Sequence, residues 1–91
     1  MFVYPPSCFV SNCLSDQVKH VRSEVDEVVA AYYGNTDIIH LAEELCDVVH
    51  SSETGLRILA DRYGVDVPAV QDYVVEKNRL RGYYDQGGSH G

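Results

Sequence analysis

Four acidic side chains are spaced so that they could hold a metal ion. Glu24 and Glu27 lie three positions apart, and Glu44 and Asp47 repeat this spacing farther along the chain. Side chains three positions apart share one face of a helix. If both segments are helices packed antiparallel along their apolar stripes, the two pairs face one groove. Oxygen ligands without histidine or cysteine favour a hard cation, so the pattern predicts Mg²⁺ or Mn²⁺. The alternative is that all four acids are solvated surface residues.

A basic strip follows the acidic part of the chain. Residues 16–53 contain nine acids and two bases, which accounts for the whole net charge of −7. Lys77, Arg79 and Arg81 then lie close together near the carboxyl end. This order predicts a cation site beside an anion site. The net charge argues against nucleic acid as a partner, because nucleic-acid binding requires a positive surface.

Composition indicates one small globular domain. The 91 residues are 45% hydrophobic and 23% charged, which is ordinary globular usage. Three cysteines leave one thiol unpaired in any set of disulfides, so a reduced, cytoplasmic protein is predicted. No apolar run approaches the roughly 20 residues that span a bilayer, so no membrane partner is expected. A core this small gains burial when copies of the chain pair.

The positions of the apolar residues predict an all-α fold. They recur at three- and four-residue steps, the spacing of one helix face, and no segment alternates long enough to indicate a strand. Three helices are predicted, over about 15–33, 37–63 and 66–81. We expect an antiparallel helical bundle that is completed by homo-oligomerisation.

Cap and turn residues set the expected boundaries. Ser15 is the expected N-cap of the first helix and Asp66 that of the third, while Gly34 and Gly64 are expected to end the first and second helices. Gly55 interrupts the second pattern; a continuous helix is the preferred interpretation, and a break there is the alternative. An irregular leader, residues 1–14, precedes a single domain over 15–84. The Gly-rich tail, residues 85–91, is expected to be flexible.

The acidic motifs and the basic ending occur in the order seen in one enzyme family. The run EVDE at 24–27, followed by EELCDVV at 43–49, resembles the EExxE…ExxD signature of the MazG-like all-α nucleoside triphosphate pyrophosphohydrolases. The run EKNRLRGY at 76–83 is similar to the KNxxRGY ending of the small phage and prophage-type members. The resemblance covers about residues 20–84.

This resemblance implies an assembly, a cofactor and a reaction. The family is all-α and assembles as homodimers or homotetramers. Its members hold Mg²⁺ with four carboxylates and hydrolyse a nucleoside triphosphate to the monophosphate and pyrophosphate, which removes unwanted nucleotides from the pool. By matching position, the metal ligands are Glu24, Glu27, Glu44 and Asp47.

The same comparison gives each candidate residue a role. Glu27 and Glu44 are the expected catalytic residues, with Glu27 as the base that takes a proton from the attacking water. Lys77 and Arg81 share one helix face and would clasp the triphosphate, while Asn78 would contact phosphate or sugar. The alternative for this strip is a solvated helix end whose cations interact favourably with the helix dipole.

Two departures from the family pattern bear on function. Ser23 replaces the first Glu of EExxE, and the leader replaces an amphipathic helix that helps to form the nucleotide pocket. Three alternatives therefore stay open: a base-selective dUTP or dCTP hydrolase, a phosphoribosyl-ATP pyrophosphatase relative, and a non-catalytic helical dimerisation module. His20 and His40 each lie one turn before an acidic pair, and neither is assigned a role.

Overall fold

The computed structural model describes residues 1–34 and 36–85, and these residues are all-helical apart from turns and connections. The helices are α1 (Leu14–Tyr33), α2 (Ile38–Tyr63) and α3 (Val67–Leu80), preceded by a short 3₁₀ turn at Cys8–Ser11. No strand occurs among the described residues, so the predicted all-α class is confirmed. Of the predicted flexible tail only Asp85 is described, and the rest lies outside the described residues.

Helix α1 begins slightly earlier than expected. Cys13 is its N-cap and provides no side-chain hydrogen bond, so the assignment of Ser15 as N-cap is wrong. The physical reason is that Gln17 N–H already donates to the carbonyl of Cys13 at 3.0 Å, which places Ser15 inside the first turn. At the other end, Gly34 is the C-cap, as its position in the sequence predicts.

Helix α2 is continuous through Gly55, which confirms the preferred interpretation. The Asp37 side chain accepts a hydrogen bond from His40 N–H at the start, and Gly64 ends the helix in the left-handed conformation with φ 69°. A Cβ at position 55 would lie 3.8 Å from Cγ of Gln17. This is an ordinary van der Waals distance, so the packing of α1 on α2 leaves room for a Cβ at position 55.

Helices α1 and α2 pack antiparallel along their length. Gln17 donates to the carbonyl of Ser51 at 2.9 Å, while farther along α1 Glu24 lies beside Asp47, so the numbers fall in α2 as they rise in α1. Few apolar side chains are fully covered by this packing. The hydrophobic residues buried within the described part of the chain are Ala31, Ile58 and Val67.

The leader lies against α2 and is fixed to it by polar contacts. The buried carboxylate of Glu53 accepts hydrogen bonds from the backbone N–H groups of Val3 and Tyr4, at 2.7 and 2.8 Å. Arg57 donates to the carbonyl of Tyr4 at 2.8 Å, and Arg62 donates to the carbonyl of Asn12 at 2.6 Å. These contacts hold an irregular segment against the helix pair.

Helix α3 is attached mainly at its first turn. The Asp66 side chain caps it by accepting from Ala69 N–H at 3.1 Å, as predicted, and Val67 is buried. Beyond that turn its apolar side chains are exposed, and the molecule measures 45 × 36 × 20 Å. None of the helices in the described ranges is long and apolar enough to cross a membrane. Homo-oligomerisation is not shown by a single chain.

Candidate functional site

Three of the four predicted metal ligands converge where α1 and α2 face each other. One carboxylate oxygen from each of Glu24, Glu44 and Asp47 lies within 4.8 Å of the other two. Glu24 comes from α1, and the other two come from α2, three positions apart on one face. We call this group the carboxylate cluster. Its oxygens are close enough for one cation to contact all three.

Glu27 lies near the carboxylate cluster but is not one of the converging residues. It is exposed on α1, one turn beyond Glu24. Its charge nevertheless reaches Glu24, since it contributes to raising the pKa of that carboxyl. The structure thus brings together three of the four predicted ligands and leaves the fourth beside them with its carboxylate in solvent.

Without a bound cation, the ionised carboxylates of the cluster repel one another. Burial raises the pKa of Glu24 above its ordinary value, and the charges of Glu27, Asp47 and Glu44 raise it further. His20 acts in the opposite direction, with Nε2 3.5 Å from a Glu24 oxygen. A bound cation would remove this repulsion, because it supplies the missing positive charge at the oxygens themselves.

Glu44 is mostly buried, and only one of its two carboxylate oxygens has a partner among the described residues. Its side chain is 13% exposed, and one oxygen lies 3.4 Å from Nε2 of His40. The other oxygen, Oε2, is buried and has no hydrogen-bond partner among the described residues. A buried carboxylate oxygen without a donor is costly. The all-oxygen donor set and this orphaned oxygen fit a hard divalent cation.

A cleft of about 250 Å³ adjoins the carboxylate cluster. Glu24 and Asp47 belong to both, so a ligand in the cleft touches the cluster directly. The leader forms part of its wall through Ser7 and Phe9, and the Phe9 ring stacks on His20 with centroids 5.4 Å apart. Its lining also includes residues from both long helices: Gln17, His20, His50, Ser51 and Thr54.

Sequence reasoning missed the contribution of His50 and the leader to this cleft. His50 lies three positions after Asp47, so it continues the spacing of the second acidic pair along α2. That spacing was a signal available in the sequence. The docking of the leader had no comparable signal, because it depends on Glu53 and Arg57, which bind backbone groups rather than a recognisable motif.

The basic strip lies on α3, away from the lining of the cleft. None of Lys77, Asn78 and Arg81 is among the residues that form the cleft. Lys77 is exposed and has no ion-pair partner in ranges 1–34 and 36–85, and Arg81 lies over the Tyr83 ring. Arg79 pairs with Glu76 on the same helix. Within the strip, Lys77 is thus the cation without an ion-pair or ring partner among the described residues.

Comparison of this chain with models of protein families, with curated proteins and with solved structures finds no match. The likeness to the MazG-like family is therefore carried by the motifs alone. Among the structural observations, the carboxylate cluster bears directly on those motifs. It forms only because the two helices that carry the acidic residues pack against each other.

Proposed function

We propose that this protein is a Mg²⁺-dependent nucleoside triphosphate pyrophosphohydrolase of the MazG-like type. The observation that carries the proposal is the convergence of Glu24, Glu44 and Asp47 from two helices. One residue of the first acidic pair meets both residues of the second, which would not happen if the two pairs lay on unrelated surfaces. Mn²⁺ is an acceptable substitute, since the donor set is oxygen alone.

The acidic residues have separate roles in the proposed hydrolysis. When bound, Mg²⁺ would neutralise charge on the phosphate oxygens and on the leaving pyrophosphate. Glu24, Glu44 and Asp47 would hold it through their converging oxygens. Glu27, exposed one turn away, is free to accept a proton from the water that attacks the α-phosphate. Its carboxylate stays available because it is not drawn into the converging group.

The basic strip supplies the positive groups for the rest of the triphosphate. Lys77 lies in the last turn of α3, Asn78 adjoins it, and Arg81, four positions after Lys77, is the C-cap of the helix. Because these side chains do not line the cleft of their own chain, we propose that a homodimer or homotetramer brings the strip of one copy to the carboxylate cluster of another. Opposite charge favours this arrangement.

The exposed face of α3 supports an assembly of copies. Val70 and Val74 lie one turn apart and are 43% and 38% exposed, and they continue toward Lys77 on the same face. Val74→Ser should shift the protein toward monomer in sedimentation velocity without loss of helical circular dichroism. Val75→Ser, about 100° around the helix, is the matched control. A wild-type monomer at all concentrations would contradict the assembly.

The compartment follows from the thiols. All three cysteines are free and exposed. Exposed thiols persist in a reducing environment, so we propose a cytoplasmic location.

The function is tested by pyrophosphate release from a panel of nucleoside triphosphates, with and without Mg²⁺. Glu44→Gln should lower the rate at least about 100-fold, as loss of one electrostatic stabilising group does. Glu43→Gln is the matched control, because the side chain of Glu43 is 68% exposed and lies outside the carboxylate cluster. Equal rates in wild type and Glu44→Gln would overturn the proposal.

The same panel separates the alternatives. Release confined to dUTP, dCTP or phosphoribosyl-ATP would indicate a base-selective or biosynthetic relative. The exposed apolar side chains of α3 also favour a helical dimerisation module, for which the acids only maintain solubility. That module predicts no release from any nucleotide and no thermal stabilisation by Mg²⁺ with a non-hydrolysable triphosphate.

A further inference from the structure

We propose that a second copy of this chain packs on one apolar side of the α1–α2 pair, so that two helix pairs form a four-helix bundle. The inference goes beyond the proposed function, because it depends on no reaction. The contact is also separate from the one proposed for α3. We call this surface the pairing face, and its apolar residues are Val18, Val25, Val29 and Tyr32 of α1 and Ile38, Leu45, Val49, Leu56 and Tyr63 of α2.

The apolar residues of α1 fall into two rows. One row packs on α2 and includes the half-buried Val21 and Val28 beside the buried Gln17. The other row belongs to the pairing face and begins at Val18, which directly follows Gln17 and so lies about 100° farther around the helix. Apart from the half-buried Leu56, the residues of the pairing face are 43–74% exposed.

The rows of α1 and α2 lie on the same side of the pair. In α2, Leu45 directly follows the inward-facing Glu44, just as Val18 follows Gln17 in α1. In antiparallel helices, equal rotation away from the facing surfaces leads to the same side. A groove of about 650 Å³ confirms this, because both Val18 and Tyr63 line it.

The leader and the cleft lie on the other side. His20 follows Val18 by two positions, about 160° around α1, and stacks on Phe9 of the leader. Helix α3 also contacts the leader, where Gln71 donates to the carbonyl of Met1 at 3.2 Å. A copy on the pairing face would therefore leave the cleft accessible.

The charge pattern of the pairing face suits a second copy. Helices α1 and α2 contain four and five acidic residues, and none of these lies at a position of the face. Arg22 lies within the row of α1, and its long side chain can place the guanidinium at the edge of the face. Two copies joined here keep their acids apart, although each chain carries a net charge of −7.

The same pattern argues against a membrane as the occupant. Helices that lie on a membrane surface carry lysine and arginine beside their apolar side. Beside the pairing face, α1 and α2 carry mostly acids, which anionic lipid repels.

The size of the pairing face fits a stable dimer. Helix α1 has 20 residues and is about 30 Å long, and two helices side by side are about 20 Å wide, which gives about 600 Å² on each copy. The two copies together would bury about 1,200 Å², the lower end of specific interfaces. The chain also needs this burial, because its own buried apolar residues among those described are Ala31, Ile58 and Val67.

The spacing within the pairing face is that of helix bundles. Positions 18, 25 and 32 are apolar at intervals of seven, and so are positions 49, 56 and 63. A seven-residue interval keeps one apolar row facing a partner helix along its length. The two rows therefore suit packing against a second pair of helices.

The test is sedimentation velocity over a range of protein concentrations. Val29→Glu places a charge on the pairing face, and Ala30→Glu is the matched control, because exposed Ala30 lies about 100° farther around α1. We expect wild type and Ala30→Glu to dimerise with similar Kd. The Kd of Val29→Glu should rise at least about 100-fold, because each copy brings a charge to an apolar contact and to its own counterpart.

Thermal unfolding gives a second readout. The Tm of wild type and Ala30→Glu should rise with protein concentration, whereas that of Val29→Glu should not. Helical circular dichroism checks that both variants are folded. A wild type that is monomeric at every concentration would overturn the pairing face. So would an assembly that Val29→Glu leaves intact and Val74→Ser disrupts, since α3 would then make the contact alone.

The outcome is independent of the proposed reaction. A dimer that Val29→Glu disrupts, but that releases pyrophosphate from no nucleotide, would support the pairing face and overturn the proposed function. A monomer that releases pyrophosphate would do the reverse.

Discussion

The pair α1–α2 and helix α3 differ in how their side chains are used. In the pair, Gln17 and Ile58 are each 1% exposed, and the leader lies against α2 through part-buried hydrogen bonds to Glu53. In α3, only Val67 is buried, while Tyr73 and Leu80 are 66% and 72% exposed. The first region also carries the excess of acids, and the second carries the basic strip.

Large apolar side chains are exposed in both regions, for example Val29 (50%) and Ile38 (74%) in the pair, so the difference between the regions lies in the leader, which covers one face of α2. Among the described residues, the buried side-chain polar atoms without a hydrogen-bond partner belong to Glu44 and His50, and both residues lie on α2 at the carboxylate cluster or its cleft. The apolar and basic face of α3 has no such cover. We infer that the pair holds the chemistry and that α3 links copies of the chain.

The largest effect should come from truncation in the core of the pair. Ile58→Ala removes a buried side chain and should lower the free energy of unfolding by about 2–5 kcal/mol. Leu80→Ala on α3 should change it by less than about 0.5 kcal/mol in a monomeric chain. Chemical denaturation at low protein concentration measures both. Similar losses at the two positions would remove the distinction between the regions.

A smaller effect should come from releasing the leader. Glu53→Ala removes the acceptor for the N–H groups of Val3 and Tyr4 and should cost about 1–3 kcal/mol. Amide exchange at residues 3 and 4 should become fast while α1 and α2 stay protected. Glu43→Ala, which removes an exposed acid from the same helix, is the control. Unchanged protection in the Glu53 variant would show that other contacts hold the leader.

The smallest effect should be the pH dependence of stability. Glu24 has a pKa raised above its ordinary 4.5 by burial and by its acidic neighbours. The folded state therefore binds this proton more tightly than the unfolded state, so the contribution of Glu24 to stability is fully present below pH 4.5 and is lost as pH rises through the raised value. Melting temperatures of wild type should fall across this range more than those of Glu24→Gln. Saturating Mg²⁺ should reduce the difference; an identical pH profile in both proteins would contradict the raised pKa.

The sequence predicted the elements well because their signals are local. Apolar periodicity located all three helices within a few residues, and Asp66 and Gly64 were recognisable as cap residues. The assignment of Ser15 as N-cap was wrong because the helix begins with the hydrogen bond from Gln17 N–H to the carbonyl of Cys13, which needs no side-chain cap. Boundary residues depend on such local competition, which composition does not reveal.

Part of the site was predictable, because helix spacing and antiparallel packing together place most of its residues. Spacing places Glu44 and Asp47 on one face, and antiparallel packing adds Glu24. Whether Glu27 joins them depends on the rotation of α1 about its axis, which periodicity does not fix. The leader's place in the cleft depends on contacts more than forty positions apart, such as Tyr4 with Glu53, and no local pattern encodes them.

The most direct test of the central claim is a crystal structure grown with Mn²⁺, recorded for its anomalous signal. If the carboxylate cluster binds a divalent cation, a peak will lie between the oxygens of Glu24, Glu44 and Asp47, about 2.0–2.4 Å from each. The peak should be absent in Glu44→Gln and present in Glu43→Gln. Wild-type crystals with no peak between these oxygens, or with manganese bound only elsewhere, would contradict the account.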